Sequence, residues 1–307
     1  MATCRSLLFV FLVACAGAPA AVRGAAEPLV RGRHTIPLTT VTFSGHRYVA
    51  DVDLGLAKPV PLMIHGNAGV FLTLTHEAAE KLTGGPVKKV EDYGYSGKGR
   101  GLITVAAMRV GDSTFADLRD IPVFDYSDSA GAPVQGMLGV RFLLANDAAV
   151  DFSRDVLVLG VTRAGNPNKA LLLNGYRVTP LRMNGRDRPT IDVWFACLNS
   201  ALPITPSTVA EALTLHHPFF AGRIPMTRAP SPDRSPRGTT PEVFLADSVR
   251  FRVEGVSFVC PASFEDIAEY GAVRETDLES AGYLGFDWMK EHAAVIDYAN
   301  RNLYFKP

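Results

Sequence analysis

Few residues in this chain have the type and spacing to do chemistry. His65, His76, His216 and His217 lack a His-Glu-x-x-His arrangement, and the adjacent pair would point to opposite faces of a strand, so no metal site is expected. The glycine-rich run at residues 94–101 has no Gly-Lys-Ser/Thr ending and is not a phosphate loop; no cofactor is expected. Asp151 and Asp297 occupy matching places late in the two halves of the chain, where capping a turn or pairing with an arginine accounts for them. Of four cysteines, Cys4 and Cys15 lie in the N-terminal leader, which leaves Cys197 and Cys260 either to pair or to remain as two buried thiols.

The elements that must position these residues belong to an ordinary globular chain. Of 307 residues, 47% are hydrophobic and 20% charged, enough to build two buried cores and too apolar for disorder. The balance of 31 basic against 31 acidic residues gives no reason to expect a nucleic-acid partner. Residues 1–24 read as a signal peptide: Arg5, an apolar run at residues 7–14, and the small-x-small site Ala18-Pro19-Ala20. That run is shorter than the roughly 20 residues needed to cross a bilayer. Leu12-Val13-Ala14-Cys15 also resembles a bacterial lipobox, in which Cys15 would carry a lipid anchor. Export to the periplasm or outside the cell is expected, with membrane contact only through that anchor.

The body is one unit written twice. Residues 136–159 align with residues 282–305 without a gap: Gly136/Gly282, Leu138/Leu284, Gly139/Gly285, Ala148/Ala294, Asp151/Asp297 and Leu157/Leu303 are identical. Upstream, Arg109-Val110 and Phe115 match Arg252-Val253 and Phe258 at an offset of 143, and Ala79-Glu80-x-Leu82 matches Ala210-Glu211-x-Leu213 at 131. The growing offset implies an insertion of about a dozen residues in the second copy, best placed in the proline- and arginine-rich run at residues 223–238, a surface loop. Expected boundaries are 30–160 for the first lobe, 161–172 for a linker and 173–307 for the second lobe.

Within the first copy, alternation at residues 48–54 and the apolar run at 60–64 predict strands. A short helix is expected over residues 76–82 with Thr75 as its cap, then a glycine-bearing hairpin at 93–101 and strands at 102–110 and 114–124. A short helix at 142–146 precedes a closing hairpin through Asp151.

These pieces, in this order, resemble one lobe of the retropepsin and pepsin-like aspartic proteases. The family pattern is an apolar strand ending in Asp-Thr/Ser-Gly-Ala, a short helix, a glycine-bearing flap and an apolar-apolar-Gly segment. Pro61 to Ile64 match the strand, Met137-Leu138-Gly139 and Tyr283-Leu284-Gly285 the apolar-apolar-Gly segments, and Thr205-Pro206-Ser207 precedes the second helix. The resemblance implies an all-β, bilobal acid-protease fold of two duplicated β-barrel lobes with a central cleft. It also implies hydrolysis by two carboxylates, one per lobe, sharing a proton.

The carboxylates are missing. In the first copy the Asp-Thr-Gly position reads His65-Gly66-Asn67, and the 131 offset carries His65 to Ala196-Cys197-Leu198. The resemblance with these substitutions implies a pseudoprotease that binds a peptide or other extended ligand in the cleft, with Tyr93 and Tyr95 of the flap as contacts. Two alternatives stand beside it. His65 and Cys197, if they face the same axis, would form an activated thiol. Or the chain is an active aspartic endopeptidase whose acids lie elsewhere.

Overall fold

The computed structural model describes residues 29–42, 45–92, 97–125, 133–185, 187–209, 212–229, 242–267 and 279–307. After β1 (His34–Pro37), the first lobe runs β2 (Thr39–Thr42), β3 (His46–Val52), β4 (Val60–His65), β5 (Leu72–Leu74), α1 (His76–Thr83) and β6 (Lys89–Glu91). It continues with β7 (Arg100–Val110), β8 (Ser113–Val123), β9 (Gly136–Gly139) and α2 (Val140–Ala145). Next come β10 (Ala149–Asp151), β11 (Val156–Leu159), α3 (Lys169–Leu173) and β12 (Arg177–Pro180). The second lobe begins β13 (Arg182–Met183), β14 (Pro189–Phe195), β15 (Ser200–Pro206), β16 (Leu213–His216), α4 (His217–Phe220) and β17 (Thr227–Ala229). It ends with β18 (Val243–Val253), β19 (Val256–Glu265), β20 (Gly282–Leu284), α5 (Phe286–Glu291), β21 (Val295–Asp297) and β22 (Asn302–Phe305).

The duplication is visible strand by strand. The first sheet has the order β2-β3-β4-β9-β5-β8-β7-β6, the second β13-β14-β15-β20-β16-β19-β18-β17, so each strand number rises by eleven between lobes. The third sheet, β1-β11-β10-β21-β22-β12, is shared, and its two halves meet where Val150 pairs with its own counterpart Ile296. A local two-fold relation therefore passes between β10 and β21.

Local sequence explains the placement. The long strands alternate buried and exposed residues, as in β18, where Ala246, Val249, Phe251 and Val253 turn inward. Thr75 caps α1 by accepting from Ala78 N at 3.3 Å, and Gly84 ends it in the left-handed region at φ 73°. Asp125, just past β8, adds a second acceptor at that helix start, taking His76 N at 3.0 Å. A Cβ on Gly136 would meet the Thr73 carbonyl and the Leu62 side chain, so β9 lies between β4 and β5 only because this residue is glycine.

Two expectations are corrected. Residues 210–211 lie outside the described residues, and Leu213 opens strand β16 instead of ending a helix. Leu213 pairs with Leu284 as Leu72 pairs with Leu138, an offset of 141. The Ala-Glu-x-Leu match at 131 was coincidental, and so was the dozen-residue insertion inferred from it. From Leu213 to Arg252 the offset grows only from 141 to 143.

Candidate functional site

Two strand ends meet at the pseudo-two-fold. In the first lobe β4 runs parallel to β9, with Met63, Ile64 and His65 opposite Met137, Leu138 and Gly139. In the second, Thr205 and Pro206 of β15 lie opposite Tyr283 and Leu284, and Ser207 N continues the ladder by donating to Leu284 O at 2.8 Å. Since Met137 and Leu138 correspond to Tyr283 and Leu284, the counterpart of His65 is Ser207.

This corrects the assignment of Ala196. That residue lies in the turn between β14 and β15, where its N–H donates to Arg250 O at 3.2 Å. A strand of 7 residues separates this turn from Ser207, on the order of 20 Å at the usual strand rise. Cys197 sits in the same turn, so the structure does not bring it to His65. Its thiol is pushed up by burial, the reverse of activation. Cys260 is a separate buried free thiol, raised by burial to about 12.

One hydroxyl ties the lobes together. Thr208 Oγ1 accepts from Gly66 N at 2.8 Å and donates to Ile64 O at 2.6 Å, with both bonds buried. The first lobe offers no hydroxyl in return, because the matching residue is Gly66. Tyr298 occupies that space: its phenol oxygen lies where a Cβ on Gly66 would go. This oxygen is buried, has no hydrogen-bond partner among the described residues, and has its pKa raised by burial.

His65 is neutral at pH 7. Burial, reinforced by the charge of Arg47 and to a smaller degree by Arg188, pushes the imidazole down to about 3 against the opposing hydrogen bond that the ring donates to Asn67. Its Nδ1 is buried without a partner. Ser207 is fully buried; its Oγ lies 3.5 Å from Asn67 Oδ1 and accepts from Val209 N at 3.2 Å.

Arg47 and Arg188 were not anticipated from sequence. Val49 pairs with Met63 across β3 and β4, so two residues further along Arg47 falls beside His65. Ile191 pairs with Ile204 across β14 and β15, and three residues further along Arg188 falls beside Ser207. The arginines are thus counterparts, one per lobe, each next to a strand end at the axis. Arg47 Nη1 also lies 3.2 Å from Met63 Sδ. Around them Val49, Met63 and Met137 of the first lobe pack with Val209 of the second. A single shared arginine 141 positions apart is too slight a signal to have been noticed.

Other expected residues fall as follows. Tyr93 and Tyr95 lie outside the described residues, as do Cys15 and the whole leader. Asp151 caps its turn, accepting from Ser153 N at 2.9 Å and Arg154 N at 3.2 Å, and Asp297 accepts from Asn300 N at 3.0 Å. Among the described residues no group of three or more His, Cys, Asp or Glu side chains could hold a metal ion. A crevice of about 410 Å³ lined by Arg31, Arg33, Asp147 and Arg163 lies beside the shared sheet, and its Asp147 is already ion-paired with Arg163 at 2.6 Å.

No protein-family model matches this chain, and no curated protein matches it either. Among solved structures it is similar to the aspartic proteinase from Irpex lacteus, with 12% sequence identity and a TM-score of 0.50 over 89% of this chain and 96% of that one. The likeness is one of fold: a bilobal, all-β, pepsin-like architecture.

Proposed function

We propose that this is an exported pepsin-like protein that binds a peptide or other extended ligand between its lobes and does not cleave it. The observation carrying this reading is that the two strand ends at the pseudo-two-fold bear His65 and Ser207. The acid-protease reaction needs two carboxylates sharing one proton, one as base towards water and the other as acid. An imidazole pushed down to about 3 is a weak base at neutral pH. Ser207 has no solvent-exposed surface from which to attack a substrate. The Arg47 and Arg188 charges also favour ionised acids over a shared proton in any carboxylate introduced here. The leader at residues 1–24 supports export, with Cys15 as an anchor point if the lipobox is processed.

The test is incubation of mature protein with an unfolded protein substrate from about pH 3 to pH 7, with and without a transition-state inhibitor of aspartic proteases. No cleavage is expected at any pH. Inhibitor-sensitive cleavage would overturn the reading, and cleavage abolished by Cys197→Ser would restore the thiol alternative.

A further inference from the structure

The sheet shared by the lobes packs separately on its two faces. Along β11 and β22, Leu157, Leu159, Leu303 and Phe305 turn into the main core, whereas Val156, Val158 and Tyr304 form a second cluster on the opposite face. A thin layer covers that second cluster. It consists of residues 29–33 and 161–176, whose Val30, Val161, Leu171 and Tyr176 pack onto it. Asn168 N fastens the layer by donating to Tyr304 Oη at 2.8 Å. Basic and acidic residues balance over the whole chain at 31 each, yet these two segments hold Arg31, Arg33, Arg163 and Lys169 and no acid. Lys306 adds a further cation, its Nζ lying 5.2 Å from the centre of the Tyr176 ring. Arg31, Arg33 and Arg163 line the crevice of about 410 Å³, where the one acid, Asp147, is paired with Arg163. On α3, next to Lys169, two leucines turn to solvent. Leu172 is 40% exposed and Leu173 88%, the most of any large hydrophobic side chain among the described residues.

We propose that this outer layer docks on an anionic phospholipid surface, with Leu172 and Leu173 entering the headgroup region and the cations around them facing lipid phosphates. Exposed leucines on a basic, acid-free layer have the make-up of an interfacial anchor: the apolar side chains supply burial, and each basic residue near an anionic bilayer adds attraction. A stable protein partner needs a far broader patch than two leucines furnish. The place where the chain enters the fold points the same way. Leu29 packs against the same cluster, and its N–H donates to Asp151 Oδ2 at 2.9 Å. Only thirteen residues lie between Cys15 and Leu29, so a lipid on Cys15 would tether the fold at this layer. A lipid tether and a basic patch act together, because stable anchoring takes two such signals. Nothing in this docking depends on what the cleft binds.

The test is co-sedimentation of mature protein carrying no lipid with vesicles of phosphatidylcholine alone or with about one third phosphatidylglycerol, at low and at high salt. Binding to the anionic vesicles is expected at roughly millimolar lipid or below, weakened by salt and absent with phosphatidylcholine alone. Leu172→Ser with Leu173→Ser should weaken it roughly 10-fold. Arg33→Gln with Lys169→Gln should weaken it roughly 10-fold or more. Leu245→Ser with Val259→Ser removes two exposed apolar side chains from the second lobe's sheet and should leave binding unchanged. All six positions are exposed, so these variants should fold as the parent does. The lipid assignment falls if the anionic vesicles do not bind, if phosphatidylcholine alone binds equally well, or if the second-lobe pair matters as much as the α3 pair. Self-association without vesicles, abolished by the α3 pair, would assign the leucines to a second copy of the chain instead. Cleavage of a substrate would sink the non-catalytic reading of the cleft and leave this docking face standing.

Discussion

At the end of β4 the first lobe presents His65-Gly66-Asn67, whereas at the end of β15 the second presents Ser207-Thr208-Val209. The strands around them have the same order and matching registers, so the differences lie in side chains set on a common frame. Thr208 reaches across to bond Gly66 and Ile64, and its counterpart in the first lobe, Gly66, has no hydroxyl to offer; Tyr298 fills that gap with a phenol that has no hydrogen-bond partner among the described residues. At these two matching positions the contact is thus made by hydrogen bonds on one side and by packing on the other. A duplicated scaffold can keep its topology while its two copies take up different chemical duties at the point where they touch.

The largest expected effects test whether the lobes have equal cores away from this junction. Phe142 packs edge-on against Phe71 and Phe115, and its counterpart Trp288 packs against Phe258 and Phe305, all in the main core. Phe142→Ala and Trp288→Ala should each cost about 3–5 kcal/mol in denaturant unfolding. A small cost at one site alone would show that the lobes differ in their cores as well as at their meeting point.

The next effect addresses the junction itself. Thr208→Val removes a buried donor and acceptor, leaves Gly66 N without its partner, and should cost about 2–3 kcal/mol. Tyr298→Phe removes a phenol oxygen that satisfies nothing and should change stability by less than about 0.5 kcal/mol, or raise it. If the two costs came out reversed, the assignment of bonding to one side and packing to the other would be wrong.

His65 supplies a pH-dependent version of the same contrast. Its folded pKa lies near 3, below the ordinary 6.5, so on acidification the unfolded chain takes up this proton before the folded one. The contribution is complete above about pH 6.5 and declines as pH falls towards 3. Relative to His65→Gln, the parent should lose roughly 2–3 kcal/mol between pH 6 and pH 4. Parallel stability curves for the two proteins would remove the buried neutral imidazole from the account.

The smallest effect expected is none. The double variant His65→Asp with Ser207→Asp restores both acids, yet Arg47 and Arg188 favour their ionised forms over the shared proton. It should stay inactive on unfolded substrate between about pH 3 and pH 7, and acid-dependent cleavage would show that the arginines do not reach the axis as described.

Much of the architecture was legible because glycine and turn chemistry leave marks in sequence. Gly136 and Gly282 recur because each lies against a neighbouring strand's backbone, where a Cβ would meet Thr73 O or Thr214 O. Thr75 announced a helix start because a hydroxyl before a helical run can accept the first free N–H. The second strand end was not legible, since Ser207-Thr208-Val209 has no residue in common with His65-Gly66-Asn67. A chance Ala-Glu-x-Leu repeat then displaced the register to Ala196. The paired arginines were hidden for a similar reason: cross-strand adjacency depends on register, and register is not written locally.

The shared sheet has a consequence for the order in which the chain can finish folding. On one side β10 pairs with β11, only a few residues away, but its other neighbour is β21, with Val150 opposite Ile296. Until that distant segment has been made, the first lobe carries an open strand edge of buried type, Ala149-Val150-Asp151. Such an edge is a template for pairing with any passing strand, including the same segment of another copy. A nascent or truncated chain would therefore be sticky at its future midline, and the last strands to arrive act as the cover that makes the first half safe.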